Sequence, residues 1–192
     1  MINKEFFQKL LSNYIAKSSK RHQIIKDSSD ALRLSKQAIF AMQRDDLENA
    51  SNLIIDVEKI LGGIKEYFEE DDSLRSQGAY RAALEEYVEA KLFHNVLMGK
   101  DIDALENEEL TYETYLSAIC DVTGELVRKA VTQATKHEFE NVEKYRKATE
   151  EIIAELLNFN LSGGQLRSKY DDAKRNLRRL EDIMYDVKVK RS

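Results

Sequence analysis

Proline and tryptophan are absent from this 192-residue chain, and cysteine occurs once. Without proline nothing interrupts a helix by removing a backbone donor, and the 7 glycines leave few places for the backbone to turn sharply. The single Cys120 excludes an intrachain disulfide framework. No apolar run approaches the roughly 20 residues of a membrane span, and no apolar segment with a cleavage site opens the chain. A soluble, reducing, cytoplasmic setting without membrane contact is therefore expected. The formal net charge of -5 argues against a surface coated with positive charge. Any nucleic acid would then be held at local basic clusters.

Helical periodicity fills the chain. Leu47, Ala50, Ile54, Val57, Leu61, Ile64 and Phe68 recur in steps of 3 and 4, which places them on one buried stripe. Leu166, Tyr170, Ala173, Leu177, Leu180, Met184 and Val187 repeat the pattern, with Lys, Arg, Asp and Glu between them, so the last helix requires a helical partner. Breaks fall at Asp45-Asp46, at Glu69 to Asp72, at Gly99-Lys100-Asp101 and at Asn158 to Gly164. The expected architecture is one all-α domain over residues 1–192, a bundle of six or seven helices. These run near 3–43, 46–69, 74–98, 111–135, 138–158 and 164–188, with a short turn of helix around 102–107.

Two acidic pairs lie on separate helices. Glu86 and Glu89 are three apart, and Asp121 and Glu125 four apart, so each pair shares a helix face. Glu85 is expected to face elsewhere, being rotated by about 100°. Gly124, inside a helix, costs about 1 kcal/mol against alanine, and would let the two helices approach if they cross there. Carboxylates without His or Cys suit Mg²⁺ or Mn²⁺. Such acids are also common on solvated helix faces, so spacing alone does not establish a metal site.

Longer strings add specificity. Arg81-Ala-Ala-Leu-Glu-Glu-Tyr-Val-Glu-Ala90 with Phe93, Tyr115-Leu-Ser-Ala-Ile-Cys-Asp-Val-Thr-Gly-Glu-Leu126, and Leu166-Arg-Ser-Lys-Tyr170 through Tyr185-Asp-Val-Lys-Val189 resemble translin-family blocks in order and spacing. Arg21-His-Gln-Ile-Ile-Lys-Asp-Ser-Ser-Asp30, with Ser35-Lys36 and Ile39-Phe40, is similar to the start of the translin-associated factor X branch. The resemblance implies a seven-helix translin-like fold and a closed homo-oligomer, roughly an octamer, with acids facing inward. It also implies Mg²⁺-dependent endoribonuclease activity on single-stranded RNA. Glu86, Glu89 and Asp121 match that branch's catalytic, metal-holding acids, with Glu125 a fourth ligand or a base. The tight Gly99 to Leu110 connection resembles compact archaeal members that lack a separate translin partner. The alternative is a non-catalytic protein that binds single-stranded DNA or RNA.

Phosphate contacts are expected first from Arg21 and Arg81, then from Lys20 and Arg75; Arg81 lies about 7.5 Å along the helix axis from Glu86. Lys17, Lys26, Lys174, Arg175, Arg178 and Arg179 complete the basic groups, the last four reading better as a packed or solvated helix face. Tyr87 and Phe93 are expected in the core rather than stacked on bases, Cys120 is expected to be a small buried hydrophobe, and His22 a surface residue. No Glu has a His three residues later, which excludes a di-iron carboxylate bundle. A coiled-coil scaffold without chemistry explains the stripes but leaves the acid strings without a reason.

Overall fold

The computed structural model describes residues 2–105 and 110–189. Among them are six α-helices: α1 (Lys4–Gln43), α2 (Leu47–Glu70), α3 (Gly78–Met98), α4 (Tyr112–Thr135), α5 (Phe139–Leu156) and α6 (Gly164–Val189). Helix α1 packs on α2 and α3, while α4 packs on α5 and α6. The α3–α4 contact joins these two halves, so residues on that seam face a junction of four helices.

Helices α1, α2 and α4 start where a side chain satisfies one of their orphan N–H groups. Asn3, Asp46 and Thr111 accept from Phe6, Asn49 and Thr114 N–H at 3.1, 3.3 and 3.3 Å. Gly99, at φ +70°, closes α3 in the left-handed conformation that glycine adopts without steric cost. The expected start of α3 at 74 is corrected to Gly78. Asp71 instead accepts from Ser73 N–H at 3.1 Å, and residues Asp72–Ser76 form a 3-10 turn that buries Leu74. The short turn expected near 102–107 is not helical over 102–105, and 106 and 107 lie outside the described residues.

The stripe from Ala50 to Phe68 is buried on α2, and Tyr170, Ala173, Leu180 and Met184 are buried on α6 against α4 and α5. Each large apolar side chain so buried contributes roughly 1.5–3 kcal/mol. The core also contains one cation. Lys129 of α4, 2% exposed, donates to the carbonyls of Met42 and Gln43 at 2.6 and 3.3 Å and to Asp45 Oδ1 at 2.6 Å. It thereby caps the C-terminus of α1, whose last carbonyls have no intrahelical partner. Asp45, at φ +65°, turns the chain there and is held also by Lys136 at 2.6 Å. These lysines overcome the effect of burial and keep its carboxyl below the usual range.

Candidate functional site

The acidic pairs meet at the α3–α4 seam. Glu86 and Glu89 rise from α3 and Asp121 and Glu125 from α4, all four half-buried and close enough to repel one another. Burial raises the Glu86 carboxyl above its ordinary pKa, opposed by Lys36 and reinforced by Asp121, Glu125 and Glu85. Glu89 is pushed up to about 8, first by burial, then by Glu86, Asp121 and Glu125. Among the described residues it has no hydrogen bond or ion pair, and only Lys169 partly opposes the cost of its charge.

The two α4 acids are more firmly held. Gln43, at the end of α1, donates to Glu125 Oε2 at 2.6 Å and to the Glu125 carbonyl at 2.9 Å. Lys129 fixes the very turn that carries Gln43, so a buried cation positions an acid it does not touch. Asp121 accepts from Lys169 Nζ of α6 at 2.5 Å. Burial still raises the Asp121 carboxyl on balance, although Lys169 opposes it.

Glu85 belongs to the centre as well, which corrects the expectation that it faces elsewhere. It accepts from Lys169 Nζ at 2.5 Å and from Ser117 Oγ at 2.8 Å. A rotation of about 100° is enough to leave one helix neighbour but not a four-helix junction, where α4 and α6 meet the next face of α3. Gly124 is corrected in the same way. A Cβ there would meet Asn176 Nδ2 of α6 at 3.6 Å, an ordinary contact, so the glycine does not set the α3–α4 approach.

The expected basic residues are divided by the structure. Lys20 pairs with Glu70, Arg21 donates to Gln77 at 3.0 Å, and Arg75 pairs with Asp72 at 2.6 Å and lies over Phe68. Lys20 and Arg21 tie the middle of α1 to the α2–α3 connection, and Arg75 braces that connection against the end of α2. Arg81 is exposed and without a partner among the described residues, one helical turn before Glu85. The cations beside the acids were not singled out by sequence: Lys36 is 3.9 Å from Glu86, Arg128 is 3.8 Å from Glu125, and Lys169 bridges Glu85 and Asp121. Helical spacing could have flagged Arg128, three residues after Glu125, but not Lys169, which comes from another helix.

The remaining aromatics and the thiol behave as expected. Phe93 is fully buried, and Tyr87 is buried with its hydroxyl on Glu58 at 2.9 Å. Burial and Asp121 push the Cys120 thiol up to about 12, which leaves no thiolate for chemistry at neutral pH.

The donor set fits a hard divalent cation: oxygen ligands only, excess negative charge, and three acids held above their ordinary pKa by burial and by neighbouring carboxylates. Among the described residues no three of these acids are already gathered around one ion position, and Lys169 occupies part of Asp121.

Comparison with known proteins now bears on the whole chain. The translins of Gallus gallus and Homo sapiens are 26% and 24% identical to it over 94 residues, which span 49% of this chain and 41% of each relative. The chain thus matches less than half the length of these curated relatives. The crystal structure of apo-NeC3PO superposes with a TM-score of 0.86 at 24% identity, covering 97% of this chain and 98% of that one. The structure of AfC3PO with duplex RNA gives 0.85 at 23% identity, covering 96% and 97%. At these identities the two structures show a shared fold. A family model described as the Translin family matches residues 19–191, and the chain belongs to that family.

Proposed function

We propose that this chain is a divalent-metal-dependent endoribonuclease of the translin-associated factor X type, working as a homo-oligomer. The observation that carries the proposal is the convergence of Glu86, Glu89, Asp121 and Glu125, with Glu89 raised to about 8 among them. Such a cluster is costly to the apo fold, and a cation would relieve it.

Glu86, Glu89 and Asp121 would hold Mg²⁺ or Mn²⁺, with Glu125 as a fourth ligand or a base. The ion supplies Lewis acidity and a more acidic water at neutral pH. The protein's own groups do the rest. Gln43 leaves one oxygen of Glu125 free to take a proton. Lys169, which pairs with Asp121 and Glu85, would offer its ammonium to a phosphate oxygen, and Glu85, itself held by Ser117, would keep it near. Arg81, one turn from Glu85, can hold the neighbouring phosphate. Assembly of copies has its own support, since Phe6, Phe7, Leu10, Leu11, Tyr14 and Ile15 on the free first half of α1 are more than half exposed. An apolar face of that extent marks a protein contact.

A second reading, binding of nucleic acid without cleavage, is favoured by Lys169, whose ammonium pairs with Asp121 at 2.5 Å and occupies one of the oxygens a metal would need. Incubating the purified chain with end-labelled single-stranded RNA, duplex RNA and single-stranded DNA, in Mg²⁺ and in chelator, separates the two. Internal cuts in RNA that require metal are expected. RNA that is bound yet intact in Mg²⁺ and Mn²⁺ would leave the binding reading alone standing.

A further inference from the structure

Phe40 is large, apolar and 52% exposed, yet it sits where neither the core nor the acid cluster uses it. It lies one turn after Lys36 and one turn before Arg44 on α1, so the three side chains follow one row of the helix. The Arg44 guanidinium stands 5.7 Å from the ring centroid, and that of Arg128, from α4, stands 6.0 Å from it. The two outer cations also touch the acids: Lys36 is 3.9 Å from Glu86 and Arg128 is 3.8 Å from Glu125. The ring therefore borders the carboxylate centre through one cation on each side. Cavities of about 380 and 500 Å³ open beside it, and Phe40 lines both.

We infer that Phe40 is a stacking platform for one unpaired base of a nucleic-acid strand, with Arg44, Arg128 and Lys36 holding the flanking phosphates; this rests on the proposed nucleic-acid function of the same site. An exposed aromatic ring accepts any base on its π-face, and guanidinium groups alongside supply the phosphate contacts that a single strand needs. Cation–π contacts at exposed sites are weak, so the arginines lose little when they turn from the ring to a phosphate. The charges exclude a purely apolar occupant: two guanidinium groups stand beside the ring, and of these only Arg128 pairs with an acid of the seam. A base stacked here would place its backbone beside Glu86 and Glu125. The platform also selects strand type, because the bases of a duplex already stack on one another and present only their edges.

The test is equilibrium binding in chelator, so that neither cutting nor metal loading enters. The probe is a short single-stranded RNA carrying 2-aminopurine, with the matching duplex as control. Phe40→Leu is expected to weaken single-strand binding by about five- to a hundredfold and to abolish the 2-aminopurine quench. Phe40→Trp should restore both, and duplex binding should change less than about twofold for lack of a stacked base. Arg44→Gln should lower the salt dependence of single-strand binding by about 0.7 in the log–log slope. Equal affinity and quench in Phe40→Leu would overturn the platform. So would a smaller assembly by light scattering with unchanged RNA affinity, which would make the ring a contact between copies. A parent chain that binds no RNA at all would instead overturn the proposed function.

Discussion

Glu89 is the residue on which the chemistry and the stability of the fold meet. Its ordinary pKa of 4.5 is raised to about 8 by burial and by Glu86, Asp121 and Glu125, with Lys169 partly opposing. Between those two values the folded chain keeps a proton that the unfolded chain has lost, so the stabilisation is whole below pH 4.5 and is lost as pH rises through 8. In metal-free buffer Glu89→Gln should match the parent near pH 4 and exceed it at pH 9, by up to about 5 kcal/mol, in denaturant unfolding. A pH-independent difference would contradict that origin. Gly124→Ala should stabilise the chain by about 0.5–1 kcal/mol, because alanine favours the helix and its Cβ meets only an ordinary neighbour. A loss of stability would show that the contact with Asn176 is tighter than 3.6 Å implies.

Among the helices, the one-dimensional pattern was informative wherever the relevant partner lies three or four residues away. The apolar stripes of α2 and α6 and the two acid pairs all have that local form. The start of α3 did not, since Asp71 competes for the backbone of Ser73 and delays the helix by a turn. Glu85 and Lys169 also escaped, because they are 84 residues apart and only the packing of α6 brings them together. Lys129 is the same kind of residue: in sequence it reads as one more surface charge, whereas in the fold it closes α1 from inside α4. Replacing it with Met would remove the donor of the Gln43 carbonyl and leave the Met42 carbonyl with only the Asp45 N–H at 3.1 Å, and is expected to cost about 1–3 kcal/mol. Since Gln43 would lose its seat against Glu125, the variant should also lower RNA cleavage at temperatures where it is still folded. Full activity in a destabilised variant would separate the cap from the site.

At the scale of the whole molecule, two features await a partner: the apolar start of α1, and the acid seam with its rim of cations. Residues 4–17 of α1 are all exposed, and Lys17 at the end of that stretch pairs with Asp71 of the body at 3.2 Å. An isolated helix of that length is marginal in water. Packing against other copies would stabilise it, and Leu10→Glu with Leu11→Glu should reduce the assembled mass in light scattering without changing helical content per chain. Unchanged mass would move the interface elsewhere. The family and the helical bundle were legible in the sequence because both depend on strings and periodicities along one chain. Which cations face the acids was not, because that depends on the register of four helices at one seam.

The claim that these acids cut RNA is met most directly by single-turnover cleavage of a labelled single-stranded RNA in Mg²⁺, comparing the parent with Glu86→Gln and Glu89→Gln at matched RNA occupancy. Both substitutions keep size and shape and replace an ionisable metal-holding oxygen with a neutral amide. The account predicts that RNA affinity in chelator is unchanged or improved, while the cleavage rate falls by about a hundredfold or more, as loss of a metal-holding group requires. Cleavage that persists at the parent's rate in both variants would contradict it and place the chemistry outside the α3–α4 seam.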